Sequence, residues 1–292
     1  MRTLLFLLSI LSMVHSTMLD TTHLHDYRAI TLDTLYDGTP HKAIRQWQEH
    51  NSTRHLIVDT ATLTTRIVDS LTPLDTPPPS RLSELQKALL AAPHPLHNAG
   101  LTRTHDKSVI LTVDMCPSRK PSYEKALFDY AQTHHIPLAI AITARWVAQH
   151  PDAFRQILDA HLSITWVNHT ATHYYDPHEH NLSRNFLLHE PSSLETEIFE
   201  TEKMLIAHGQ IPSVFFRFPG LVSSPTLVRR LIEEFTLLPV GTSNWLAISG
   251  KPIETGDIVL VHGNGNEPSG IRRFLEAPYE GNYSSIGESV GR

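Results

Sequence analysis

The sequence predicts an α/β protein: a parallel sheet covered by helices, either a barrel or an open sheet, with a smaller mixed segment ahead of it. Two observations carry that reading. From about residue 109 onward, short apolar runs alternate with stretches of helical spacing. Alternation of this kind implies parallel strands joined by crossover helices. A Pro-rich stretch at residues 74–80 (LDTPPPS) separates an N-terminal segment from the remainder of the chain.

In that first segment, Thr39-Pro40 reads as the cap and first residue of a short helix carrying Ile44 and Trp47. Residues 55–70 alternate branched and polar side chains, which suits one or two strands. Residues 83–92 read as a helix, with Ser83 and Gln86 in capping-box register. Residues 17–100 thus form a small accessory α+β extension without defensible chemistry of its own.

The repeating part begins with VILTV (109–113), followed by Tyr123, Leu127, Tyr130 and His134 at helical spacing. LAIAI (138–142) is a second buried strand, 144–158 a helix, and LSITWV (162–167) a third strand. Ser192 and Glu195 open a helix that Gly209 closes. VFFRF (214–218) precedes a helix starting at Ser224-Pro225, and strands near 238–241 and 258–261 complete the series.

At 292 residues the chain can bury one sizeable core or two modest ones. Its 40% hydrophobic and 18% charged residues suit a globular protein rather than a disordered one. Lys+Arg 24 against Asp+Glu 30 gives −6, and no basic run appears, so nucleic acid is not an expected partner. Met1-Arg2, the apolar run 4–14 and the small or branched residues 14–16 read as a secretory signal peptide over 1–16. That run is shorter than the ~20 apolar residues that span a bilayer. The expectation is an exported protein, periplasmic or extracellular, without a membrane span after cleavage. Cys116 is the only cysteine, so no intrachain disulfide forms. A lone thiol in an oxidising compartment has to be buried or ligated.

Polar residues fall where the apolar runs end. Asp114 follows VILTV, His169 follows LSITWV with His173 four residues on, Arg217 lies near the end of VFFRF, and His262 follows IVLV. Active sites of parallel α/β folds gather at the carboxyl ends of strands. Two imidazoles four residues apart can serve one divalent ion. An arginine near a carboxylate holds it ionised. A histidine titrating near working pH can act as an acid.

These segments resemble the polysaccharide deacetylases, the NodB-homology family or carbohydrate esterase family four, over roughly residues 109–274. Thr112-Val113-Asp114 looks like its first motif (Thr-Phe-Asp-Asp), and His169-Thr170-Ala171-Thr172-His173 fits its second (His-Ser/Thr-x-Ser/Thr-His). Arg217-Phe218-Pro219-Gly220 is similar to Arg-x-Pro, and Leu260-Val261-His262 to Leu-x-His. The resemblance implies a distorted (β/α) barrel of NodB-homology type over 101–292. It also implies metal-dependent removal of acetyl groups from a glycan. Asp114 would then be the base, His262 the acid and Arg217 the partner of Asp114. His169 and His173 would hold the metal, and Trp245, Phe218 and Pro219 would lie beside the substrate.

Two departures stand out. The family's second aspartate, a metal ligand, is Met115 here, and a thioether is a poor replacement for a carboxylate on a hydrolytic metal. Either Asp114 itself ligates or another residue substitutes. Cys116, two residues along a strand from Asp114, would make a Cys-His-His set that favours zinc; Asp176 is a further candidate. The family's Asp-x-x-Asp-Trp becomes Gly241-Thr242-Ser243-Asn244-Trp245, so the carboxylate that tunes the acid is absent, and His262 is then either less basic than usual or partnered from another segment such as Glu267. These changes keep open a catalytically weakened relative that binds envelope glycan. A zinc peptidase is disfavoured because His-Glu-x-x-His is missing.

Overall fold

The computed structural model describes residues 21–120, 123–189 and 192–290. The expected signal peptide lies outside these described residues. Five antiparallel strands come first: β1 (His25–Tyr36), β2 (Thr39–Glu49), β3 (Ser52–Asp59), β4 (Thr65–Val68) and β5 (Thr72–Pro73). They lie in the order β4-β3-β2-β1-β5 and are followed by helix α1 (Arg81–Ala91).

The alternating part opens with β6 (Ile110–Met115), α2 (Lys125–Thr133), β7 (Leu138–Ile142), α3 (Ala144–Gln149), α4 (Pro151–Asp159) and β8 (Ile164–Asn168). Next come α5 (Leu194–Ala207), β9 (Phe215–Phe216), α6 (Pro225–Glu233), β10 (Leu238–Pro239), β11 (Asn244–Trp245) and α7 (Leu246–Ser249). The series closes with β12 (Ile258–His262) and α8 (Pro268–Glu276). The seven strands β6 to β12 pair in the order β10-β9-β8-β7-β6-β12-β11, parallel throughout. This is the curled sheet of a distorted barrel, matching the fold class read from the sequence.

Strand alternation sorts side chains between two cores. On β6, Leu111, Val113 and Met115 join a cluster under α2, α3, α4 and α8. Ile110, Ala139, Ala141 and Ile258 face the other way, into a cluster shared with the N-terminal layer. That second cluster joins Trp47, Leu56, Leu82 and Leu85 to Phe199, Phe215 and Phe235, so the antiparallel sheet packs directly on the barrel. At the centre of the contact, the guanidinium of Arg45 on β2 donates to both carboxylate oxygens of Glu202 on α5, at 2.7 and 2.9 Å. Both side chains are fully buried.

Between β10 and β11 the sheet has a seam, and residues 97–103 fill it. Asn98 donates to the carbonyl of Thr242 at 2.8 Å and accepts from its amide at 2.8 Å. Leu101 bridges Val240 in parallel. The close approach requires Gly100: at φ +114°, a Cβ there would stand 2.3 Å from the carbonyl oxygen of Pro239.

Four local expectations are corrected. Residues 39–49 are a strand, not a helix: β2 is paired on both sides, and a bulge between Ala43 and Arg45 lets Ile44 and Trp47, three apart, bury in the same cluster. The spacing that imitates a helix comes from that bulge. Helix α1 is capped by Ser80, with Ser83 closing the box, so it starts earlier than the Ser83–Gln86 pair suggested. Helix α5 is capped by Ser193, whose side chain accepts from the amide of Thr196, rather than by Ser192. The expected helix 144–158 is two helices broken at His150-Pro151, because proline excludes its predecessor from helical geometry and lacks an N–H. Among the described residues no helix is long and apolar enough to cross a membrane.

Candidate active site and metal centre

Asp114 and His262 sit opposite each other in register on the adjacent strands β6 and β12. Asp114 is thus the second-last residue of its strand rather than the one after it. Its Oδ1 accepts from Arg217 Nη1 at 2.6 Å, and its Oδ2 stands 3.7 Å from His169 Nε2. Arg217 is itself fixed from several sides, donating to Thr112 Oγ1 at 2.7 Å and to the carbonyl of Gly241 at 2.8 Å. Burial would push the Asp114 carboxyl up, but the charges of Arg217, His169 and His262 and the bond from Arg217 hold it below its ordinary value.

His169 and His173 share one loop after β8, with ring centroids 4.8 Å apart. His169 Nδ1 lies 2.8 Å from the carbonyl of Arg217. A carbonyl only accepts, so Nδ1 carries a proton and Nε2 is the nitrogen turned toward Asp114 and Cys116. The loop is strained, with Thr170 at φ 73° and His173 at φ 46°. Local bonds impose it: Asn168 Oδ1 accepts from the Thr170 amide at 3.0 Å, and Thr170 Oγ1 accepts from the His173 amide at 3.1 Å. From α5, buried Glu197 accepts from the Thr172 amide at 2.8 Å and from its hydroxyl at 2.5 Å. Sequence reading missed Glu197, although a carboxylate among the buried positions Leu194, Ile198 and Thr201 was the signal. Glu197→Ala is expected to weaken binding of a metal held by His173 by about tenfold, as loss of an outer-shell partner does. Titration of the variant with zinc checks it; unchanged affinity would exclude a positioning role.

Cys116 lies just past β6, buried, with Sγ 3.5 Å from His169 Nε2. Donor atoms of Cys116, His169 and His173 all fall within 4.8 Å of one another, as do those of Asp114, Cys116 and His262. Burial opposes ionisation of the thiol, yet the charges of His173, His169 and His262 outweigh it and hold its pKa well below the ordinary value. Asn264, fully buried, donates to the Cys116 carbonyl at 2.7 Å and ties the β12 loop to this turn. Met115 faces the other way, into the core beneath Phe128. Asp176 is not drawn in; its Oδ1 accepts from the His178 amide in a turn.

His262 Nδ1 stands 2.8 Å from Glu267 Oε2, an ion-pair distance rather than an aligned hydrogen bond, since the atom has no partner of good geometry. The same oxygen accepts from Trp245 Nε1 at 2.7 Å. Burial pulls His262 down, but Cys116, Glu267 and Asp114 together raise its pKa well above the ordinary value. Asn244 points elsewhere, donating to Pro252 and Asp257. Around these groups opens a cavity of about 670 Å³, lined by Asp114, Cys116, His169, His173, Trp245 and His262 among others. Phe218 and Pro219 do not face it. Both are buried behind the wall, Phe218 against Phe216 at 5.0 Å, because Arg217 turns inward from the strand end and its neighbours turn to the core. The cavity instead meets Tyr175, Phe186 and Leu221. Tyr175 and Phe186 stand in an irregular stretch without periodicity, which left no sequence signal.

A thiol with two imidazoles is a donor set of the kind that zinc takes. Zn–S of ~2.3 Å and Zn–N of ~2.05 Å in tetrahedral geometry require an S···N edge of roughly 3.6 Å. The 3.5 Å between Cys116 Sγ and His169 Nε2 meets it.

Residues 102–237 match the polysaccharide deacetylase family. Among solved structures the fold is similar to PdaA of Bacillus subtilis, a family 4 carbohydrate esterase, at 17% identity over 71% of this chain and 88% of that one, with a TM-score of 0.50. A family 4 carbohydrate esterase from Bacillus anthracis aligns at 17% identity over 72% of this chain and 91% of its own, TM-score 0.48. A CE4 family pseudoenzyme from Bacillus anthracis aligns at 15% over 92% of each chain, TM-score 0.42. Fold and family match define the class: this chain is a polysaccharide deacetylase-like hydrolase, whose bonds are carbon–nitrogen bonds other than peptide bonds. It resembles carbohydrate esterase family four as a divergent relative. The family match ends before Trp245, His262 and Glu267.

Proposed function

We propose that the chain is a metal-dependent deacetylase that removes N-acetyl groups from an envelope or extracellular polysaccharide, with zinc held by Cys116, His169 and His173. The observation that carries the reading is the convergence of those three donors beside Asp114 and His262 at a single cavity. A bound divalent ion supplies Lewis acidity toward the acetyl carbonyl. Asp114, kept ionised and aimed by Arg217, takes a proton from the attacking water as its oxygen bonds the acetyl carbon. His262 gives a proton to the sugar nitrogen as the C–N bond breaks, so that acetate and a free amine leave. Trp245 walls the cavity beside His262, the rings 5.6 Å apart. Export rests on the apolar run at residues 4–14; recovery of the full-length chain solely from the cytoplasm would remove that part.

Acetate release from N-acetylglucosamine oligomers tests the reading. We expect it to vanish with a chelator, to return with zinc, and to fall by about 10³-fold in Asp114→Asn. Full activity after all bound metal is removed would discard it. Met115 and Asn244 favour a second reading, a binder of envelope glycan with little turnover. Stoichiometric zinc with glycan affinity and no acetate release would establish that one instead.

The pH profile carries a further expectation. His262 must be protonated to act, and its raised pKa keeps it so above its ordinary value of 6.5, with activity lost as pH rises through the folded value. Asp114 is lowered below 3.8, so the base is ionised throughout. Glu267→Gln removes one cause of the rise in His262 and moves the alkaline limb toward lower pH. A limb that stays in place would remove Glu267 from the tuning of the acid.

A further inference from the structure

We infer that the glycan accepted here is anionic: a carboxylate on the acetylated sugar or its immediate neighbour is received by Arg119 and Arg145. The inference rests on the glycan reading above and deepens it.

The cavity's charges are unevenly matched. Two carboxylates face it, and both are answered: Asp114 by Arg217 at 2.6 Å, and Glu267 by His262 at 2.8 Å and Trp245 at 2.7 Å. Two arginines also face it, Arg119 and Arg145, both exposed. Among the described residues neither guanidinium has a hydrogen-bond or ion-pair partner. The wall is therefore left with two unpartnered guanidinium groups and no unpartnered carboxylate.

Arg119 and Arg145 are carried into this wall by segments bound to each other and to the loop of His169 and His173. Arg145 sits at the start of α3, and its amide donates at 2.9 Å to the carbonyl of Ala171, which lies between His169 and His173. Arg119 belongs to the turn that comes after Cys116, and that turn is bound to α3. Gln149 Oε1 accepts from the Ser118 amide at 3.3 Å, and His150 Nε2 reaches the Ser118 carbonyl at 2.9 Å. The aromatic residues of the cavity, Tyr175 on Phe186 (5.2 Å) and Trp245, offer faces for neutral sugar rings. Neutral sugars need no guanidinium pair, whereas a carboxylate gains charge-assisted, fork-shaped hydrogen bonds from one. The chain's net charge of −6 repels a dense polyanion, so the occupant carries separated negative groups rather than a continuous run.

Binding to the purified full chain tests this independently of turnover. Calorimetry at low ionic strength would compare an N-acetylglucosamine tetramer, an alternating N-acetylglucosamine–glucuronate tetramer, and an N-acetylglucosamine oligomer whose acetylated rings bear an ether-linked carboxylate. Exposed pairs are each worth only a few-fold, so one carboxylate probe is expected to bind about tenfold more tightly than the neutral tetramer. Which of the two does so locates the charge on the acetylated ring or on its neighbour. The preference should disappear in Arg119→Gln/Arg145→Gln and at ~0.5 M salt. Equal affinities, no binding of any probe, or a preference that survives the double substitution would overturn the inference. Acetate release from the three probes reports on the deacetylase reading separately: a charge preference with no release from any of them leaves the inference standing and removes the enzyme.

Discussion

Cys116→Ala is expected to lose stoichiometric zinc, with affinity falling at least ~100-fold, since deleting a direct ligand should cost no less than deleting an outer-shell partner. Strand alternation explains why this thiol matters. Met115 faces the helix-covered core, so the position where the resembling family carries a metal-binding carboxylate offers nothing to the cavity. Cys116, one residue further, brings a donor within 3.5 Å of His169. Soft thiolate with imidazole selects zinc, whereas oxygen ligands suit harder ions. Cys116→Asp should therefore keep a metal site but shift its preference from zinc toward manganese or cobalt. Elemental analysis after dialysis against mixed ions reads both variants. Retention of one zinc per chain at unchanged affinity in Cys116→Ala would end the assignment of this ligand.

Glu202→Leu is expected to destabilise the protein by about 3–5 kcal/mol, because it leaves a buried guanidinium without its counter-ion. Arg45 retains only the carbonyls of Ile44 and Phe235 as acceptors. Replacing both partners, Arg45→Met with Glu202→Leu, should recover most of the loss, since a well-packed apolar pair removes the stranded charge. Denaturant melts of the two variants check this. A single variant as stable as the parent would show that this ion pair adds nothing to the union of the N-terminal sheet and the barrel.

The barrel was legible in the sequence because its strands are buried on both faces and read as unbroken apolar runs. LAIAI matches β7 residue for residue, and β12 differs from its expected span only by His262. The positions of Asp114, His169, His173, Arg217 and His262 were legible for the same reason, since each lies near or just past the end of such a run. What escaped was set by contacts distant in sequence. The bulge in β2 placed Ile44 and Trp47 in one cluster at a spacing that looks helical. Phe218 and Pro219 could not be told from cavity residues, because only the turn after β9 decides that Arg217 goes inward and they go to the core. Glu197 and Glu202 were visible only as carboxylates on an apolar helix face, with nothing local to name Thr172 and Arg45 as their partners.

The seam between β10 and β11 also bears on how this molecule is made. Asn98 finds its mates on Thr242, 144 positions later, so the wall cannot shut until most of the polypeptide has been synthesised. Loop closure over such a span is slow, and non-local pairings of this sort set the pace of folding. The nascent chain therefore waits with a sheet edge open, a stage at which helper proteins or crowding decide its yield.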